Sequence, residues 1–382
     1  MKDRTASAER NGATNVSNGH VNPGAAMLNG ANEVRVSSHS AQQERPRPTV
    51  ACIIPYYNGS KFIERAVVSV FAQTVQPDEF IVVNDGSKDA EREFLHDLAQ
   101  KYSFKVIDQV NGGQGSARNK GVASTKADFI CFLDQDDFYL PNHIEWLTQA
   151  LPLDDLRLGF VYADLNVADA GGNIIFSGVA KDHSRHPKTS LIDMISTDMF
   201  VLPSASIVSR KALEAVGGFD PQFMGYEDDD LFMRIFRKGY SNHYLDRPVT
   251  VWCIHKESTS YSVRMSRSRF RYFKKLVDML PDDPERSLFF FRDCFMPRFN
   301  KSFVEEAAKA AREGGEHAEE IFQILRDYTA MVVANPHIRE RKKLKLRAAS
   351  FLLPRLSKAG MKAIDTVYSL PLVRDLPRIT TG

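Results

Sequence analysis

The 382 residues suffice for one large domain or two, and 43% hydrophobic with 26% charged residues describes a soluble chain that can bury a real core. A net charge of +2 removes any global argument for nucleic acid as a partner. Four widely spaced cysteines, three of them in apolar strand-like contexts, read as reduced buried thiols and speak against a disulfide framework or a zinc site.

In chain order, residues 1–48 hold no aromatic residue and are rich in Asn, Ser, Gly and Ala. Such a segment cannot bury enough surface to offset its ordering entropy, so disorder is expected there. The texture changes at Thr49. "TVACIIPYYN" predicts a buried strand ending in a turn, and "SKFIERAVVSVF" a helix with Phe62, Ala66, Val67 and Val70 on one face. "FIVVNDGS" predicts a strand, "AEREFLHDLAQKY" a helix, "FKVID" a strand, "QGSARNKGVAST" a short helix, and "FICFLD" a further strand. Strands that are apolar at nearly every position and alternate with helices argue for a mostly parallel sheet covered on both faces. Beyond Leu151 the alternation loosens, with strand-like "LGFVYADLNV" and "NIIFSGVA" around a "DAGG" turn. "SASIVSRKALEAVGGFD" then predicts a strand, a helix and a glycine stop, and from about Ser266 the chain reads as mainly helical. No apolar run reaches the roughly 18 residues of a spanning helix. The first residues lack the apolar core of a secretory signal, so a cytoplasmic protein is expected.

Ligands of such sheets bind beyond the carboxyl ends of the strands, where the polar residues concentrate. "FLDQDD" places Asp134 and Asp136 two apart at a strand end, where an extended chain would aim both at one ligand and turn Asp137 away. Carboxylates there suit Mg or Mn shared with substrate phosphates, or else form a solvated turn before the helix near Pro141. "GYEDDDLFMRIFRKG" opens a helix with four acids, Glu227 to Asp230. The macrodipole accounts for one or two; an ionised carboxylate among them could serve as general base. Asp85 in "VNDGS" is either a turn residue or a ligand contact. Arg118 either faces the ligand edge or lies on the surface, and His255 is a ligand or a structural histidine.

Six segments in order, "IIPYYNG", "IVVNDGS", "NGGQGSARNKG", "FLDQDD", "GGFD" and "EDDDLFMRIFRKG", resemble glycosyltransferase family 2, the inverting sugar-nucleotide-dependent enzymes of the GT-A fold, over residues 49–262. After the expected disordered extension over 1–48, the resemblance implies a GT-A domain over 49–265. This domain would be a Rossmann-like, mostly parallel mixed sheet with helices on both faces. A mainly helical region would follow over 266–382. It implies a nucleoside-diphosphate sugar donor, commonly UDP-linked, with Pro55 and Tyr57 lining the base, Asp85 contacting it and Arg118 beside it. Asp134 would face the ribose and metal, and Asp136 would hold a divalent cation, Mn or Mg, with His255 nearby. Asp228 corresponds to the catalytic base, with Asp229 its rival in the run. The acceptor would be a saccharide or a lipid-linked saccharide, in bacterial polysaccharide or glycoconjugate synthesis. The Gln-x-x-Arg-Trp motif and membrane spans of processive synthases are missing, which argues against cellulose-, chitin- or hyaluronan-type polymerisation.

Two other functions fit parts of the pattern. A sugar-nucleotide nucleotidyltransferase would want a Gly-rich, Lys/Arg-bearing phosphate loop after the first strand, and "PYYNGSKF" is a poor one. A non-catalytic binding module would not need Asp134, Asp136 and Asp228 together. Residues 339–358 carry eight Lys or Arg against one Glu. They predict a basic amphipathic helix able to lie on the inner face of an anionic membrane, or a solvated helix face, with Pro354 as its break.

Overall fold

β1 (Val50–Tyr56) is buried along its whole length. Its side chains alternate between two cores: Ala51 and Ile53 enter one, and Val50, Cys52, Ile54 and Tyr56 the other. Successive side chains of a strand point to opposite faces, so a strand covered on both sides must be apolar throughout. A computed structural model describes residues 47–255 and 263–356. The expected disorder of 1–48 therefore falls, but for two residues, outside the described part.

The other strands are β2 (Glu79–Asp85), β3 (Lys105–Gln109), β4 (Phe129–Phe132), β5 (Phe138–Tyr139), β6 (Leu158–Ala168), β7 (Ile174–Ser177), β8 (Ser206–Ser209) and β9 (Ser241–Cys253). Between them run α1 (Ser60–Phe71), α2 (Asp89–Tyr102), α3 (Gln114–Ala123), α4 (His143–Gln149), α5 (Ala180–His183), α6 (Leu191–Ile195), α7 (Arg210–Val216) and α8 (Glu227–Arg237). The sheet order is β3-β2-β1-β4-β8-β6-β9-β5, with β7 beside β6. β3, β2, β1 and β4 are parallel, whereas β8 runs antiparallel to β4 and β6. The sheet is thus mixed and parallel in its N-terminal half, as expected.

That parallel register aligns the ends that matter. Pro55 pairs with Val83, and Ile53 with Phe132, so the turns after β1, β2 and β4 leave from one edge. α3 lies close against β1: a Cβ at Gly121 would sit 2.5 Å from Ile53 Cγ2. Only a glycine allows that approach.

The C-terminal helices are α9 (Val263–Met279), α10 (Met296–Glu313), α11 (Ala318–Ala334) and α12 (Glu340–Leu352). The Phe273 ring meets Phe291, Phe299, Phe303 and Tyr328 at centroid distances of 5.2 to 5.9 Å. These aromatics belong to the same buried cluster as Ile53 of β1, so the helical region extends the core of the sheet. α12 stops at Leu352, and Pro354 lies in the 3₁₀ turn that follows.

Candidate active site

A cavity of about 760 Å³ opens at the shared strand edge. Pro55, Tyr57, Asp85, Arg118, Asp134, Asp136, Asp228 and His255 all line it, so the fold brings every expected site residue to one place.

The acidic segment after β4 does not stay extended. β4 ends at Phe132, and the Asp137 N–H donates to the Asp134 carbonyl at 3.1 Å, closing a turn. The three carboxylates consequently find different partners. Asp134 accepts from Gln114 Nε2 at 2.8 Å and Arg118 Nη2 at 2.5 Å. Asp136 Oδ2 lies 2.7 Å from His255 Nε2, and the His255 ring stacks on Phe62 at 4.6 Å. Asp137 turns into the protein and accepts the Cys253 N–H at 2.9 Å. This bond anchors the end of β9 two residues before His255, so adjacent acids fix the strand and meet its histidine. Burial, then the charge of Asp134, pushes the Asp136 carboxyl up, while His255 pulls it back.

The run at the start of α8 resolves in the same way. Tyr226 just before it adopts a left-handed conformation, φ 63°. Glu227 accepts from Arg118 Nη1 at 3.0 Å and from the Gly225 N–H at 2.7 Å. Asp229 pairs with Arg298 of α10, which also reaches Asp198 at 3.2 Å. Asp230, fully buried, is held by Arg234 at 2.7 Å and Lys275 of α9 at 2.6 Å. Asp228 differs: among the described residues its carboxylate accepts the Asp229 N–H at 2.8 Å and forms no ion pair. Burial, then Asp229 and Glu227, pushes Asp228 well above the usual carboxylate range, with Arg118 pulling it down. Glu227, Asp228 and Asp229 all line the cavity, but three of the four acids in the run are neutralised by cations and Asp228 is left without one among the described residues.

Arg118 is 1% exposed, with its two terminal nitrogens divided between Asp134 and Glu227 and its guanidinium 5.1 Å over the Phe219 ring. It ties the two acidic motifs together, a role that its spacing in "SARNKG" does not suggest. Asp85 is likewise engaged. Its Oδ1 accepts from Gln109 Nε2 at 2.7 Å and the Gly112 N–H at 2.8 Å, and its Oδ2 from the Gly113 N–H at 2.8 Å. It therefore shapes the glycine turn that enters α3. Tyr57 is half exposed, and its N–H donates to Gln135 Oε1 at 2.9 Å.

A further wall comes from segments in which sequence reasoning named no site residue, although it expected residues 165–205 to face the acceptor. Asp198 to Ser204, Met224 and Trp252 line the cavity, as do Arg264, Met265 and Arg269 of α9. Phe200 in that wall has φ 50° and stacks on His183 at 4.1 Å. No local pattern marks these residues, because they join the site through long-range packing. Among the described residues no group of three or more His, Cys, Asp or Glu side chains is arranged to hold a metal ion. Asp136 with His255 supplies an adjacent pair of donors, which fits a cation completed by water and substrate oxygens.

The fold is that of the GT-A glycosyltransferases. Staphylococcus aureus TarS 1–349 in complex with UDP-GlcNAc superposes with a TM-score of 0.57 at 16% identity, covering 84% of this chain and 92% of that one. Residues 51–216 match the family model described as Glycosyl transferase family 2. An uncharacterized glycosyltransferase of Rickettsia prowazekii is 32% identical over 208 residues, 53% of this chain and 63% of that protein. One of Rickettsia bellii is 29% identical over 210 residues, 53% of this chain and 29% of its own length. The chain thus spans less than two thirds of these relatives. Family match and relatives together support a glycosyltransferase.

Proposed function

We propose that the protein is an inverting glycosyltransferase that moves a sugar from a nucleoside-diphosphate sugar to the hydroxyl of a saccharide or lipid-linked acceptor, in bacterial polysaccharide or glycoconjugate synthesis. The observation that carries this reading is the inequality within the acidic run: Asp228 alone among Glu227 to Asp230 forms no ion pair with the described residues, and it shares its cavity with Asp134 and Asp136. A carboxylate held by a guanidinium attracts a further proton weakly, whereas one surrounded by buried acids is more basic. Asp228 takes the proton of the acceptor hydroxyl as that oxygen attacks the anomeric carbon. Attack opposite the departing diphosphate is a single displacement, so the configuration inverts without a covalent glycosyl-enzyme.

Pro55 and Tyr57 line the base pocket. Asp85 already accepts three N–H groups, and a carboxylate offers about four acceptor positions, so Oδ2 retains one for an imide N–H such as that of uracil. The UDP-GlcNAc complex of TarS favours a UDP-linked donor on this fold. Asp134 faces the ribose, and Arg118 holds Asp134 and Glu227 at a set separation, which keeps donor and base aligned. Asp136 and His255 would hold Mn or Mg, which when bound neutralises charge on the leaving diphosphate. The reaction belongs in the cytoplasm, with the basic C-terminal tail touching the inner face of the cell membrane.

Incubating the chain with a panel of sugar nucleotides and Mn tests the reading. Free nucleoside diphosphate is expected, and Asp228→Asn should slow its release by about 10² to 10⁴-fold while leaving nucleotide binding intact. Release of pyrophosphate from a nucleoside triphosphate and a sugar 1-phosphate would identify a nucleotidyltransferase instead. An undiminished rate in Asp228→Asn would remove the base.

A further inference from the structure

α12 has two apolar faces, and the fold uses one. Leu346 and Ala349, with Leu353 just beyond the helix, are buried and belong to the main core cluster. On the other side Leu344, Phe351 and Leu352 are 68%, 59% and 46% exposed. At about 100° per residue, positions 344, 351 and 352 fall within one stripe, roughly opposite the buried one. Single exposed apolar residues need no explanation; an aligned set on one helix does.

The surroundings of the stripe are strongly cationic. Arg341, Lys345 and Arg347 are exposed along and beside it, and Arg355 lies 3.9 Å over the Phe351 ring. From Arg339 to Arg355 there are seven Lys or Arg against one acid, Glu340, and that acid is paired with the buried Lys343 at 2.9 Å. No helix among the described residues is long and apolar enough to cross a membrane. Apolar side chains framed by arginine and lysine complement a surface that is hydrocarbon beneath and phosphate above.

We propose that α12 docks on an anionic lipid bilayer. Leu344, Phe351 and Leu352 enter the layer between headgroups and acyl chains, and Arg341, Lys345, Arg347 and Arg355 meet the lipid phosphates. The helix stays attached to the core through its buried face, so docking needs no unfolding. The proposal leans on the glycosyl transfer reading only for its purpose, which is to bring the cavity to a lipid-borne acceptor. Vesicle binding would stand if that reading failed, and transfer would stand if binding failed.

The test is flotation of the full chain with phosphatidylcholine vesicles, with and without phosphatidylglycerol. Binding is expected with the anionic vesicles and should fall as salt rises. The triple change Leu344→Ser, Phe351→Ser, Leu352→Ser should weaken it about tenfold or more, and so should Arg341→Gln, Lys345→Gln, Arg347→Gln. All these positions are exposed, so circular dichroism and the melting midpoint should stay unchanged and certify the fold. Flotation that is absent in the native chain, or undiminished in both triple variants, overturns the proposal. So does a dimer in gel filtration that the serine variant abolishes, which would make a second copy the occupant of the stripe.

Discussion

Replacing Arg298 by Met removes the cation that lies against Asp229, in a pair whose side chains are 2% and 12% exposed. In the native protein, burial pushes the Asp229 carboxyl up to about 6, with Arg298 pulling it down and Asp198 pushing it up. Desolvation therefore already outweighs the pairing. Losing the guanidinium leaves a buried charge without compensation, a cost of about 3–5 kcal/mol near neutral pH. The carboxyl can avoid part of this by keeping a proton. A folded value above the unfolded one means that the native state binds more protons, so stability falls as pH rises from the unfolded value through the folded one. In Arg298→Met the folded value moves higher, and the fall extends past neutrality with a slope of up to about 1.4 kcal/mol per pH unit. Urea denaturation followed by the fluorescence of Trp146 and Trp252, near pH 6 and near pH 8, measures this. The variant should lose markedly more stability than the native chain between those values. Adding Asp229→Asn should restore most of the loss, because a neutral pair carries no uncompensated charge. A loss independent of pH, or no recovery in the double variant, would refute the reasoning.

Two further outcomes follow from the same geometry. Arg118→Lys keeps the charge but cannot divide one planar fork between Asp134 and Glu227, so UDP binding measured calorimetrically with Mn should weaken; unchanged binding would show that the tie is dispensable. Gly121→Ala drives a methyl group to 2.5 Å from Ile53 Cγ2 and should cost about 1–3 kcal/mol in denaturant unfolding. An unchanged midpoint would mean that α3 can lift from β1 without penalty.

The N-terminal half of the fold was legible because its elements are locally encoded. "SKFIERAVVSVF" coincides with α1, and the continuous apolar runs of β1, β2 and β4 announce strands covered on both sides. The candidate site was legible as far as its residues end strands or open helices, and all eight expected positions line the cavity. What could not be read was the partner of each charge. "EDDD" is one short run of four acids, and their separation into three ion-paired carboxylates and one unpaired among the described residues depends on Arg118, Lys275 and Arg298, brought in from α3, α9 and α10, and on Arg234 within α8. The extended geometry expected for Asp134 and Asp136 gave way to a turn, because Asp137 is drawn inward to the backbone of Cys253.

By itself the sequence determined the periodicities and the strand-end placement of the acids, since each depends on neighbours a few residues away. Tertiary structure alone decided which acid stays unneutralised, how Arg118 joins two distant motifs, and that α12 turns one apolar face inward and the other out. Electrostatic compensation and burial are properties of assembled space: they act over a few ångströms between residues that the chain holds far apart.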